Sequence, residues 1–477
     1  MVNDAHYNNP YVFGLPVDDP DLFFGRELEL SIMMNTIAHL KPGLRQSMAV
    51  VGPRRIGKTS LLHQIIRQMQ STSNAIAMID TQEIVPRSAL LLTRIILGRL
   101  REAIEKKFPD IAQTQIDIID KPPPPGELVF HTFQEDMRRL NEALASGQKP
   151  ATILMIDEVE GLLEFGGLQV LGLFRHLAQK LPHILFVVAG ADRLYSLMND
   201  TTSPFFNVFK IVTIKPLSDN HAREMILEPA TEAGIQFDTD ATSEVIRLSG
   251  GIPYLINMIC HYATEKVLLQ HSPPVIKKFH IDRACEHILT HEHGYFRYTW
   301  QQAQSLEQAI FYTLAEARTA QPVEQITRRI EQITRVQQAS DQIHEYVREL
   351  EERQILCRNE SGDYWFGNEL LPLWLRANYT VTKVAQEFQS TAAVLGPGET
   401  PNFDVQPTPS ELRQVLTALF SESELRDIMF DLKIDFESLA GSSKSDKARE
   451  LISFMHRRKR LDELVDAVRI QHPHAFD

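Results

Sequence analysis

Nine consecutive residues carry the strongest chemical signal in the chain: Gly52-Pro-Arg-Arg-Ile-Gly57-Lys58-Thr59-Ser60. They follow the apolar run MAVV and precede SLLHQIIRQM, whose apolar positions recur at helical spacing. A glycine-permitted loop between strand and helix lets backbone amides converge on phosphate oxygens, while the helix presents its positive end to the same anion. Lys58 would reach the β- and γ-phosphates of a nucleotide, and the Thr59 hydroxyl would ligate magnesium. Gly52, Gly57 and Ser60 complete the cradle. Pro53, Arg54, Arg55 and Ile56 belong to the loop that surrounds the cofactor but are not phosphate ligands by motif alone.

A second constellation ends the apolar run ATILMID, where Asp157 is followed by Glu158. A carboxylate at the C-terminal edge of a strand in a parallel sheet lies on the side where such sheets bind ligands. Asp157 can hold the water shell of magnesium and Glu158 can orient or deprotonate an attacking water. Lys58, Asp157 and Glu158 are therefore the candidate catalytic residues, and Thr59 with Asp157 the candidate metal ligands. An Asp-Glu pair alone would more often be a helix cap; its partnership with the phosphate loop gives it this reading.

These residues need a scaffold that brings strand ends together. Strand-length runs SMAVVG, AIAMID, ATILMID, ILFVVAG and FKIVTI alternate with helical patterns up to about residue 217, which predicts an α/β domain with a parallel sheet and helices on both faces. The stretch with Pro122–Pro125 interrupts this alternation and cannot be helix interior. Helical patterns from about 218 to 295 read as a small helical lid. Residues 296–384 give several short helices followed by ILCRNESGDYWFG, two short strands around a turn, and so a winged helix. A Gly-, Pro-, Ser- and Thr-rich stretch, 385–408, reads as a flexible linker, and 409–477 as a small all-α domain of four or five helices.

Composition narrows the partners. With 49 basic against 62 acidic residues the formal charge is −13, which disfavours broad contact with nucleic-acid backbones or anionic lipid. The three cysteines, Cys260, Cys285 and Cys357, fit neither a zinc knuckle nor a disulfide framework and are expected to be core thiols in the reducing cytoplasm. No apolar run reaches the length of a membrane span, and no protease triad, nuclease cluster or pore segment is legible.

FFGRELEL at Phe23–Leu30, GPRRIGKTS, MIDEVE, VVAGADR at Val187–Arg193 and SGGIPYLINMIC at Ser249–Cys260 together resemble the STAND class of signalling ATPases, close to the AAA+ fold. The resemblance spans about residues 23–378. It implies ATP or ADP with magnesium as cofactors and places Arg26 near the nucleotide, although a helix-capping surface arginine would read the same way. It makes Arg193 a γ-phosphate sensor or else a solvated loop arginine, and sets Pro253 where the lid covers the adenine. Two departures qualify it. SPFFNVFKIV lacks the arginine with which ring-forming motors reach a neighbouring subunit, and YWFGNELLPLWLR lacks the Met-His-Asp motif that holds ADP in eukaryotic relatives, leaving the resting-state lock unassigned.

The winged-helix reading raises the question of DNA. The segment SDQIHEYVRELEERQ carries Asp341, Glu345, Glu349, Glu351 and Glu352 against Arg348 and Arg353, which opposes counterion release, and ITRRIEQITR is the more basic alternative. The tail, through FSESELRDIMFDLKIDFESLAG, KSDKARELISFMHRRKRLDELV and the closing Gln-His-Pro, resembles the effector-associated, death-domain-like modules of prokaryotic conflict systems. That resemblance implies self-association on activation and recruitment of an effector protein bearing a cognate domain. The basic run His456–Arg460 beside Glu422, Glu424 and Asp427 suits head-to-tail pairing of such domains, or is an ordinary solvated helix end.

Overall fold

The computed structural model describes residues 8–39, 46–111, 129–268, 274–334, 340–381 and 384 of one unit. Of the second it describes residues 412, 415–417, 420, 425, 426, 428, 429, 432, 434, 444–457, 464 and 468. The chain divides into these two compact units at residues 394 and 395. Pro122–Pro125, the 385–408 segment and the charged side chains considered for head-to-tail pairing lie outside the described residues.

In the first unit the apolar runs form five parallel strands, β1 (Met48–Val51), β2 (Ile76–Asp80), β3 (Thr152–Asp157), β4 (Ile184–Gly190) and β5 (Lys210–Thr213), in the spatial order β2-β3-β4-β1-β5. Strand periodicity sends alternate side chains to opposite faces. Met48, Val50, Ile153, Met155, Leu185 and Val187 enter one hydrophobic core, whereas Ala49, Val51, Leu154, Ile156, Phe186 and Val188 enter another. The first face is covered by α1 (Glu27–Ala38) and α2 (Lys58–Met69). The second is covered by α3 (Ala89–Lys107), α4 (Val129–Ser146) and α5 (Gly167–Lys180). Burial on both faces explains why β1, β3 and β4 are apolar throughout rather than alternating.

After β4 come α6 (Asp192–Asn199) and β5, and then four helices, α7 (Asp219–Glu232), α8 (Thr239–Ser249), α9 (Pro253–Leu268) and α10 (Lys278–His291). Two-residue strands β6 (Gln236–Phe237) and β7 (Val275–Ile276) pair in parallel among them, an element too short for the sequence pattern to reveal. Next come α11 (Gly294–Gln302), α12 (Ser305–Ala317), α13 (Val323–Thr334) and α14 (Ser340–Glu352). The unit continues with an antiparallel hairpin of β8 (Leu356–Arg358) and β9 (Tyr364–Phe366), and then α15 (Leu370–Asn378). The hairpin turn is closed by Asn359, whose amide meets Asp363 O at 2.9 Å and whose Oδ1 accepts from Asp363 N at 2.8 Å.

The second unit has its own core of Leu412, Leu416, Phe420, Leu425, Ile428, Met429, Leu451, Ile452 and Met455, with α16 (Lys444–Arg457) as its longest described helix. Cys260 and Cys285 are buried, but Cys357 is exposed. The expectation of three core thiols is corrected there: Cys357, in the middle of β8 of the two-stranded hairpin, is exposed.

The turn between α8 and α9 is tightly enclosed. Gly250 has φ +58°, and a Cβ on it would lie 1.8 Å from Gly367 O of the hairpin; one on Gly251 would lie 2.3 Å from Leu217 O. Gly250→Ala therefore combines left-handed strain with a backbone clash and should destabilise the first unit by about 1–3 kcal/mol. Gly98→Ala, inside α3 with nothing within 4 Å of the new methyl, should stabilise it, by about 0.5–1 kcal/mol. Thermal unfolding of the two variants should shift the midpoint in opposite directions; a shared direction would contradict this account of the turn.

Candidate nucleotide site

The site forms where β1, β3 and β4 end. β1 terminates at Val51 and the chain turns back through Gly52, where a Cβ would come within 2.7 Å of Ile214 O. Arg55 (φ 67°) and Gly57 (φ 104°) take left-handed conformations that close the loop onto the start of α2. Ile56 is fully buried beneath it. Lys58, only 5% exposed, turns its Nζ inward and donates to Gly52 O and Pro53 O, each at 3.0 Å. Burial lowers its pKa, while Glu158, Glu160, Asp157 and Asp192 act in the opposite direction. The first amides of α2 have no intrahelical acceptors, which makes this end of the helix suited to an anion.

Because β4 lies between β1 and β3, the start of α2 must reach across the end of β4 to meet the acids. It does so through Thr59, whose Oγ1 donates to Asp157 Oδ2 at 2.6 Å. The other oxygen, Oδ1, accepts from Glu158 N at 3.0 Å. Asp157 is 1% exposed, and burial raises its pKa despite the Thr59 and Glu158 hydrogen bonds. This donor set, a hydroxyl and a carboxylate with further acids beside them, offers hard oxygen ligands and fits magnesium rather than a soft metal. Among the described residues no group of three or more His, Cys, Asp and Glu forms a metal cluster. No helix among them is long and apolar enough to cross a membrane.

Glu158 has φ 49° and ψ 47°, a left-handed conformation that non-glycine residues adopt only when held. Its carbonyl accepts from Thr81 Oγ1 at 2.5 Å and from Gly161 N at 2.9 Å. Those bonds fix the backbone on one side and the Asp157 carboxylate fixes it on the other, so the Glu158 side chain leaves the strand at a defined angle. Burial raises its pKa, with Lys58 opposing. Two residues on, Glu160 accepts from Ala191 N at 2.7 Å through Oε1. Its Oε2 is buried without a partner, and a Cβ on Gly190 would come within 2.0 Å of it. Burial pushes the Glu160 carboxyl up to about 6.

The remaining candidate residues fall in different places. Arg26, 4% exposed, donates to Ile56 O at 3.1 Å and Lys215 O at 2.7 Å, bracing the phosphate loop from behind. Burial lowers its pKa, against the pull of Glu29 and Glu27. Arg54 lies 4.1 Å from the Tyr298 ring centroid in α11. Arg55 lies 5.1 Å from that of Tyr254 in α9 and donates to Gly14 O at 2.9 Å. Ser60 Oγ accepts from Val17 N at 2.9 Å, so its hydroxyl anchors the N-terminal segment. Pro253 opens α9 directly after the enclosed glycine turn. Arg193 is exposed on α6.

Thr81, Glu160, Asp192 and the segment Asn9–Asp18 belong to the site's surroundings and were not legible as such. Thr81 and Glu160 act on the backbone of Glu158 and Ala191, and a contact to a backbone group leaves no motif. Glu160 sat within MIDEVE, and its place three residues after Asp157 was the available signal.

A five-stranded parallel sheet of this order, with a phosphate loop after β1 and paired acids after β3, defines a P-loop NTPase. Residues 13–388 match the family model of Novel STAND NTPase 1, and the chain belongs to that family. Residues 412–473 match Effector-associated domain 7. Among solved structures, the Walker-type ATPase of Pyrococcus abyssi is similar in fold, with a TM-score of 0.56 and 17% identity over 76% of this chain and 98% of that one. An uncharacterised HTH-type transcriptional regulator of Methanocaldococcus jannaschii is 24% identical over 256 residues, 50% of this chain. The match spans 62% of that relative's length.

Thr81→Val preserves shape and removes the hydroxyl that holds the Glu158 carbonyl. Nucleotide hydrolysis should fall about tenfold while nucleotide affinity stays within about twofold. Phosphate release and fluorescence titration measure the two quantities, and an unchanged rate would show that Glu158 is oriented without Thr81.

Proposed function

We propose that this protein is an ATP-dependent signalling switch that assembles when activated and recruits a separate effector through its C-terminal domain, in antiviral or related conflict defence in the cytoplasm. The observation that carries this reading is the junction of Lys58, Thr59, Asp157 and Glu158 in a Novel STAND NTPase whose tail matches an effector-associated domain. The proposed organisation is an NTPase domain at 1–217, a helical lid at 218–295, a winged helix at 296–384, a linker at 385–408 and a death-like effector-associated domain at 409–477.

ATP would be held by the loop Gly52–Ser60, with the Lys58 ammonium swinging from the Gly52 and Pro53 carbonyls to the β- and γ-phosphates. Magnesium, when bound, supplies charge neutralisation of those phosphates, with Thr59 and Asp157 as its holders. Glu158 orients the attacking water and takes its proton; a carboxyl with a raised pKa is a stronger base for that step. Pro253 and the tyrosines of α9 and α11 close over the nucleotide. Hydrolysis is slow and resets the switch, and to flip it nearly completely nucleotide and trigger together must supply about 5.5 kcal/mol of differential binding.

A second reading, a winged-helix ATPase that binds DNA, is favoured by the transcriptional-regulator description of the Methanocaldococcus relative. Against it, α14 is acidic, and Arg329 of α13 is already paired with Glu316 at 2.7 Å. Retention of labelled duplex that weakens steeply with salt would support the DNA reading.

Lys58→Ala should abolish nucleotide binding and assembly. Glu158→Gln should retain ATP binding, slow hydrolysis by roughly 10²–10⁴-fold through loss of general-base catalysis, and accumulate the assembled form. Sizing chromatography with magnesium–ATP and a phosphate-release assay test both; variants that behave like the parent would end this mechanism.

A further inference from the structure

The turn Gly190–Ala191–Asp192, at the end of β4, is gripped from two sides. From the nucleotide side, Glu160 takes the Ala191 amide at 2.7 Å, and Gly190 has no room for a side chain beside that carboxylate. From the opposite side, Arg353, directly after α14, reaches Asp192 with Nη2 at 3.5 Å. The same guanidinium pairs through Nη1 with Glu307 of α12, which is 2% exposed. Glu307 is itself fixed, its Oε2 accepting from Gln304 N at 2.7 Å. Close by, Tyr195 of α6 donates to Glu352 Oε2 at 2.6 Å.

Asp192 is also close enough to Lys58 to count among the acids that oppose the lowering of its pKa. One turn thus touches Glu160, two residues beyond Glu158, on one face and the C-terminal module of the first unit, α12–α15, on the other. The planar fork of arginine can bridge two carboxylates at once, which an ammonium does far less well. Arg353 is only 12% exposed and its Nε is buried without a partner, so both carboxylates are its main stabilisation.

We propose that Arg353 is a positioning residue that couples the two halves: by holding Asp192 it sets the β4 turn against Glu160 and Glu158, so that docking of the α12–α15 module and turnover at the nucleotide site are linked. Linkage is reciprocal for binding, so a nucleotide that shifts the turn weakens docking of the module by the same factor by which undocking the module changes nucleotide affinity. The inference rests on the nucleotide-switch reading given above.

The test uses the full chain carrying Asp192→Asn, which removes the charge on a partly exposed partner, and Arg353→Lys, which keeps the charge but loses the fork. Both avoid leaving Glu307 without a nearby cation. Each should slow single-turnover ATP hydrolysis and speed release of a fluorescent ADP analogue, both about tenfold, within the usual range of site-to-site coupling. The double variant should add little to either single one, because both break the same contact. General loosening of the fold would not move the two rates in opposite directions and leave the double variant non-additive.

Parent-like rates in folded variants, or additive effects, on a parent that hydrolyses ATP, would overturn this inference alone. A folded parent with no affinity for magnesium–nucleotide would overturn it together with the functional reading.

Discussion

Lys58 is buried among Asp157, Glu158, Glu160 and Asp192, where low polarity penalises its own charge and makes the repulsion between the acids large. One ammonium cannot balance that many carboxylates, and much of the surrounding architecture can be understood as an answer to this excess. The Thr59 hydroxyl and the Glu158 amide stabilise Asp157, and the Ala191 amide stabilises Glu160. Arg353 stabilises Asp192 from outside. A divalent cation beside Asp157 would relieve what remains, which is why a magnesium–triphosphate complex suits the site better than a bare anion.

The same constraint explains how the scaffold is tuned. The acids can crowd together because β3 and β4 are buried on both faces and end at the same level, with glycine at the end of β4 making room for a carboxylate. The left-handed conformation of Glu158 is unfavourable in isolation, and it persists because Thr81, Gly161 and Asp157 over-determine it. Strain is stored at Glu158, and part of its support comes from Thr81, the residue directly after β2.

Much of this was legible beforehand, for identifiable reasons. Five strands read as five apolar runs, three of them, β1, β3 and β4, buried on both faces, and GPRRIGKTS and MIDEVE mark the loop and the acids because phosphate and metal chemistry constrains residue type as well as spacing. Contacts made to backbone groups were not legible: Thr81 to Glu158 O, Glu160 to Ala191 N, and Arg26 to Ile56 O leave no pattern in residue types. Nor were contacts between segments far apart in sequence, of which Asp192 with Arg353 is the example. Arg193 is exposed on α6, whereas the arginine paired with the neighbouring Asp192 is Arg353, from a segment far away in sequence.

The segment Asn9–Asp18 has a consequence of its own. Asn9 donates to His261 O at 3.0 Å, and Tyr11 is buried with its hydroxyl on Ile226 O. Its other end binds Ser60 through Val17, and Gln64 of α2 through Asp18 O at 2.9 Å. This strap is laced to α7 and α9 at one end and to the first turns of α2 at the other. Any displacement of α7 and α9 relative to α2 would have to break the Tyr11 hydrogen bond to Ile226 O or pull on α2 through Ser60 and Gln64. The strap therefore ties α7 and α9 to the first turns of α2 through hydrogen bonds made by a single stretch of ten residues.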